Sequence, residues 1–149
     1  MFSPEPNAAA RGAVLNLTLG HTLADVYRAI LESIAYSLRE NIELLRQAGF
    51  ELDVVRSIGG GAKSDLWLQI KADATGMPIQ KPAVSEAAVL GAAMLAAVGY
   101  GAFSSLAESS ARLVSIERVF DPHPARHAAY EAPYQAYRGL RRRLYGGTP

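Results

Sequence analysis

The chain has 149 residues, half of them hydrophobic, and this length and composition fit one globular domain with a modest core. Its 15 basic and 14 acidic residues give a net charge of +1, which argues against a nucleic-acid or membrane partner recruited by overall charge. The absence of cysteine excludes disulfides, thiolate metal sites and a cysteine nucleophile, and is typical of a reducing compartment.

The first fifty residues predict a strand and a long helix. Residues 1–11 are interpreted as an extended segment that lacks the pattern of a signal peptide, so we expect a cytoplasmic protein. In residues 12–19 the side chains alternate with a period of two, which predicts a half-buried strand. From Thr22, a candidate N-cap, apolar residues recur at spacings of three and four as far as Gly49, which predicts a helix.

The middle of the chain predicts a strand, a glycine turn, a helix and a second strand. Residues 52–58 have the β-branched content of a buried strand and run directly into three glycines. After that turn, Ser64 or Asp65 can cap a helix that ends at Gly76. Residues 78–83 form a short strand candidate, and their prolines favour a sheet edge or a strand end.

The last third predicts two helices. Residues 85–98 form a helix rich in glycine and alanine, in a run too short to cross a membrane. A loop is expected from there to Asp121. A final helix over 123–145 should be kinked or broken at Pro133, since proline lacks a backbone donor and clashes with the preceding turn.

Alternating strands and helices predict an α/β layer structure with a mainly parallel sheet. About three strands are evident, whereas a typical sheet has roughly 5–6. The sheet edges would then be open to other chain segments. The sequence therefore predicts part of a larger domain, and self-association of the chain when it is alone.

The glycines at 59–61 lie between a strand and a helix, where bare backbone can approach an anion. The loop matches neither the dinucleotide fingerprint nor the P-loop. A tight turn without a ligand therefore remains an alternative. The three histidines, at 21, 123 and 127, are too scattered for a metal site, and none is assigned. Trp67 is predicted to belong to the core.

The segment GGGAKSDLWLQIKADATGMPIQ resembles the nucleotide-binding signature of the FGGY carbohydrate kinases, and its lysine–serine pair is most like the xylulokinase branch. Three other segments agree in order: ARGAVLNLTLGHTLADVYRAILESIAYSLRENIELL, SEAAVLGAAMLAAVGYGAF and YEAPYQAYRGL. The resemblance implies an RNase H-like domain of the actin and hexokinase type, here an incomplete C-terminal domain over residues 12–149.

The resemblance also implies a nucleotide site. The family binds ATP against this domain, and the matching loop positions are Gly59, Gly60, Gly61 and Ala62. Asp65 falls where some relatives have an asparagine that contacts adenine, but an ionised aspartate can only accept hydrogen bonds. Lys63 could approach a phosphate as a point charge.

The family's catalytic base and first phosphate loop belong to an N-terminal domain, and no segment here resembles them. We therefore assign no catalytic residue and expect the chain alone to be inactive. In the complete enzyme, ATP with Mg²⁺ would phosphorylate a ketopentose such as D-xylulose. The alternative is a non-catalytic module that binds nucleotide weakly or only self-associates.

Overall fold

The computed structural model describes residue 8 and residues 10–146, so most of the predicted segment 1–11 lies outside the described residues. The elements follow in the order α1 (Leu23–Gln47), β1 (Val55–Arg56), a 3-10 turn (Gly60–Ala62), α2 (Asp65–Thr75), β2 (Ile79–Pro82), α3 (Ala87–Gly99), α4 (Leu106–Leu113), β3 (Ile116–Phe120), α5 (Pro124–Ala129) and α6 (Glu131–Tyr145).

Helix α1 begins with a capping box, as Thr22 at the N-cap predicts. The Asp25 N–H donates to the Thr22 hydroxyl, while Asp25 Oδ2 accepts from the Thr22 N–H at 2.8 Å. The buried face of the helix carries Leu31, Ala35, Tyr36 and Ile42. A second apolar row, which includes Ile30 and Ile34, is exposed. The helix therefore has more apolar surface than the described part of the fold covers.

The sheet is small and mixed, in the order β1-β2-β3. Strand β2 pairs parallel with β1 and antiparallel with β3. The prediction of a mainly parallel sheet is therefore wrong for one of the two pairings. Strand β2 is central, so of the two placements predicted from its prolines, a sheet edge or a strand end, the strand end is the one observed. The prolines are tolerated there because Pro78 precedes the strand and Pro82 ends it, beside an irregularity in the register.

The strand predicted over residues 12–19 does not form within the described part of the chain. Asn16 has a φ of 62°, a left-handed conformation that interrupts an extended run. No described strand lies beside this segment to supply hydrogen bonds. Its leucines are exposed, and Leu19 is fully so.

The prediction of a loop before Asp121 is wrong, because this region contains α4 and β3. Ser105 caps α4 by accepting from the Glu108 N–H at 3.1 Å, and Glu108 accepts in return from the Ser104 N–H at 2.8 Å. This serine-to-glutamate spacing is a helix-start signal that the sequence contains.

The last helix is divided, as predicted, but the predicted position is wrong: the break lies at Tyr130, between α5 and α6, and not at Pro133. Pro133 lies in the first turn of α6, where its missing N–H would have no partner within the helix. The proline therefore belongs to a helix start and not to a mid-helix kink.

Helix α2 is the centre of the fold, with two buried faces. One face packs on α1 and α6 in a cluster that includes Leu31, Ile70 and Tyr134. The other packs on the sheet through Leu68 and Ala72, against Ile79 and Phe120. This placement fixes the start of α2 beside the end of β1, where the glycines lie. No helix in the described part of the chain is both long and apolar enough to cross a bilayer.

Candidate functional site

The glycine loop leaves the sheet at the carboxyl end of β1, the position where open α/β sheets usually bind ligands. The Ser57 N–H continues the pairing by donating to the Gln80 carbonyl at 2.9 Å. The Gly59 N–H donates to the Ser85 carbonyl at 2.9 Å. The loop is therefore tied to the segment that follows β2.

The loop itself is a tight turn that needs glycine at its first position. Gly59 has φ 72° and ψ −162°, a region open essentially only to glycine. The Ala62 N–H donates back to the Gly59 carbonyl at 3.0 Å, and the Lys63 N–H donates to Gly60 at 3.2 Å. The buried Ala62 side chain anchors the turn to the protein.

The two central glycines differ in their surroundings. A Cβ built on Gly60 would meet no atom within 4 Å, whereas one on Gly61 would lie 2.8 Å from Cζ3 of Trp67. No hydrogen bond within the described part of the structure engages the N–H group of either glycine. Gly60 thus opens to solvent, while Gly61 rests on the indole.

Ser64 caps α2 as predicted, with its hydroxyl accepting from the Trp67 N–H at 3.3 Å. Asp65, in the first turn, accepts from Lys81 at 3.2 Å and from Arg118 at 3.0 Å. Hydrogen bonds to Glu117 and to Asp65 raise the pKa of Lys81. The Asp65 carboxylate is therefore held by two cations on the neighbouring strands.

Lys63 lies at the rim of the loop, where its ammonium is 3.8 Å from the Glu86 carboxylate. Both side chains are about two-thirds exposed, at 68% and 66%. Such an exposed pair is weak, so Lys63 is free to turn toward an anion placed over the loop.

Three side chains lie under the loop, and the sequence alone does not connect them. Lys71 donates to the Ser57 hydroxyl at 3.1 Å, and its ammonium lies 4.2 Å from the centre of the Trp67 ring. Trp67 is partly buried and packs against the core cluster that α2 forms with α1 and α6, in line with its predicted place in the core. The i, i+4 spacing of Trp67 and Lys71 on a helix was the available signal.

A cavity of about 680 Å³ lies away from the loop and is lined by none of the predicted site residues. It separates residues 10–15 from α1 and α6. Within the described ranges, no three histidine, aspartate or glutamate side chains are grouped to hold a metal ion. His21 accepts a local hydrogen bond from the Thr18 N–H at 3.0 Å.

A family model described as the C-terminal domain of the FGGY family of carbohydrate kinases matches residues 1–100. The chain belongs to this family. Xylulose kinase of Staphylococcus epidermidis is 38% identical over 138 residues, which are 93% of this chain and 28% of that protein. This chain thus spans just over a quarter of the length of that relative.

Solved kinase structures share the fold. A ligand-bound xylulose kinase from Lactobacillus acidophilus superposes with a TM-score of 0.84 at 27% identity, over 97% of this chain and 30% of that one. Glycerol kinase of Plasmodium falciparum with ADP gives 0.73 at 26% identity, over 93% and 28%. These matches confirm the predicted family and the α/β fold of the actin and hexokinase type.

Proposed function

We propose that this FGGY domain forms part of the nucleotide-binding side of an ATP-dependent carbohydrate kinase. The observation that carries the proposal is the loop of Gly59, Gly60, Gly61 and Ala62 at the end of β1. It offers two backbone N–H groups without partners, in a turn whose outer side is open at Gly60. Unpaired backbone donors on glycine suit the phosphates of ATP or ADP.

The surrounding charges support the same ligand. Lys63 can add a mobile positive charge to a phosphate, and Mg²⁺ would arrive bound to the nucleotide. The Asp65 carboxylate keeps acceptor capacity beyond its two ion pairs, so it could accept from the amino group of adenine. The structural similarity to a glycerol kinase with ADP is consistent with this assignment.

The proposed substrate is a ketopentose, D-xylulose in the first instance, because the relative and the structure named above are xylulose kinases. The chain spans 28% of that relative, so we assign the sugar pocket and the catalytic base to an N-terminal kinase domain. Residues 12–149 are the proposed extent of the C-terminal domain. A module without kinase chemistry is not favoured, since the similar proteins are kinases.

Calorimetric titration with ADP and Mg²⁺ tests the nucleotide site. Gly60→Val adds bulk where the open loop would meet the phosphates, with no predicted clash inside the protein. Gly139→Val on α6 is a matched control, because the space around Gly139 is also open. Binding that is lost in the first variant and kept in the second supports the proposal. No binding by the parent chain, or equal binding by both variants, contradicts it.

A further inference from the structure

Lys71 is a buried cation with an unusual set of neighbours. The residue is only 9% exposed, yet no carboxylate within the described part of the chain forms an ion pair with it. Its ammonium contacts the Ser57 hydroxyl at 3.1 Å and the face of Trp67 at 4.2 Å. Burial lowers the pKa of Lys71, as expected for a cation removed from water.

The Trp67 indole is fixed without a hydrogen bond of its own. Its buried Nε1 has no partner within the described residues. One ring edge lies against Gly61, and the ring face is covered by Lys71. The orientation of the ring therefore depends on packing and on the cation, which is attracted to the negative face of an aromatic system.

These contacts join three elements at the site. Ser57 follows β1, Gly61 belongs to the 3-10 turn, and Trp67 with Lys71 belongs to α2. A change in the tilt of the indole would move Gly61, since no space separates the two. The packing of Trp67 therefore sets how far the backbone N–H groups of Gly60 and Gly61 lie from α2.

We propose that Lys71 is a positioning residue: it holds Trp67 against Gly61 and so sets the place of the backbone donors of Gly60 and Gly61. This inference rests on the proposed nucleotide site and adds to that site a residue that positions its backbone donors. The ammonium does not touch the nucleotide in this proposal and acts through the indole.

A buried, unpaired cation costs stability, and an apolar side chain of similar length should not. Lys71→Met should therefore unfold at the same or a higher urea concentration than the parent. The same variant should bind ADP with Mg²⁺ roughly fivefold more weakly, the size expected for loss of one cation–π contact. A residue with a merely structural role would lose stability and binding together.

The chain has a single tryptophan, so its fluorescence reports on this ring alone. We expect Lys71→Met to shift the emission maximum of Trp67. Lys71→Arg keeps a cation, so its emission maximum and its affinity for ADP should stay close to those of the parent. Ile79→Val in β2 is the stability control. It should lower stability without changing either readout, because Ile79 lies in the other core cluster.

The outcomes separate this inference from the proposed function. If Lys71→Met keeps the parent's emission and affinity, the positioning role is overturned. If Lys71→Met loses stability and affinity together, and the Ile79→Val control also loses both, the loss of affinity follows from lost stability and the positioning role is also overturned. If the parent binds no ADP, the proposed function fails, and hydrogen exchange of the Gly60 and Gly61 amides then tests the positioning role by itself. Faster exchange in Lys71→Met than in the parent supports the role, and unchanged exchange refutes it.

Discussion

The carboxylate of Asp73 on α2 accepts a 2.9 Å hydrogen bond from the backbone N–H of His123, fifty positions later in the sequence. The same side chain accepts from Gln69 at 2.9 Å and from Arg126 at 3.3 Å. Asp73 is almost fully buried, and His123 is the N-cap residue of α5. One carboxylate therefore fixes the start of α5 on the central helix.

Asp73→Ala should lower the free energy of unfolding by about 1–3 kcal/mol, because it leaves donors without their acceptor. Arg126→Gln should cost below about 1 kcal/mol, since this guanidinium is largely exposed and its ion pair is screened by water. Urea denaturation measures both. Equal effects of the two substitutions would show that the ion pair, and not the backbone hydrogen bond, joins the helices.

Gly60 and Gly61 should respond differently to alanine. Gly61→Ala places a methyl group against Trp67 and should reduce the free energy of unfolding by about 1–3 kcal/mol, the usual cost of overpacking. Gly60→Ala meets open space at an ordinary φ and should be neutral or slightly stabilising. Urea denaturation of the two variants compares them directly.

A second substitution confirms the cause. Replacing Trp67 by leucine removes the ring edge, so Gly61→Ala should cost less in that background than in the parent. An unchanged cost would mean that the backbone of Gly61, and not its contact with Trp67, requires glycine.

Local signals explain which elements the sequence could predict. Helix α2 was predicted closely because Ser64 caps it and Gly76, in the left-handed conformation, ends it. Strand β1 was overestimated at seven residues, because only Val55 and Arg56 find ladder partners on β2. Pairing is a property of the sheet, so a β-branched run alone could not fix its length.

The same reasoning separates the parts of the site. The glycine loop could be predicted because its turn needs a residue without a Cβ at position 59. The support under the loop could not, because it depends on which side of α2 faces the end of β1. One of the two ion pairs of Asp65, with Arg118, also depends on β3, a region predicted to be a loop.

The capping box of α1 should make the stability of the fold depend on pH. Hydrogen bonds from the side chain and the backbone of Thr22 lower the pKa of Asp25 below its unfolded value. A group with a lowered pKa stabilises the fold above its unfolded pKa, near 3.9, and loses this effect as pH falls through the folded value. Asp25→Ala should thus lower the melting temperature at about pH 7, with the difference shrinking below about pH 4. A difference that persists at low pH would assign the effect to packing.

The exposed apolar row of α1 predicts self-association of this chain. Ile30 and Ile34 are each nearly half exposed, and the exposed leucines of residues 12–19 add to the apolar surface. Light scattering over a concentration series should show a mass that rises above the monomer, and Ile30→Lys should return it to the monomer. Tyr100→Lys, at an exposed site after α3, is the control. A constant monomer mass for the parent would contradict the prediction.

The chain alone should not phosphorylate sugars, even if it binds ADP. Catalysis of phosphoryl transfer depends mainly on positioning, which requires groups on both sides of the nucleotide and a base near the attacking hydroxyl. The proposed site would contact the nucleotide from one side only, and none of its residues is assigned as a base. A coupled assay for ADP release with ATP, Mg²⁺ and D-xylulose should match the rate without sugar, with a full-length xylulose kinase as positive control. Sugar-dependent turnover by this chain would mean that its own residues complete the catalytic site.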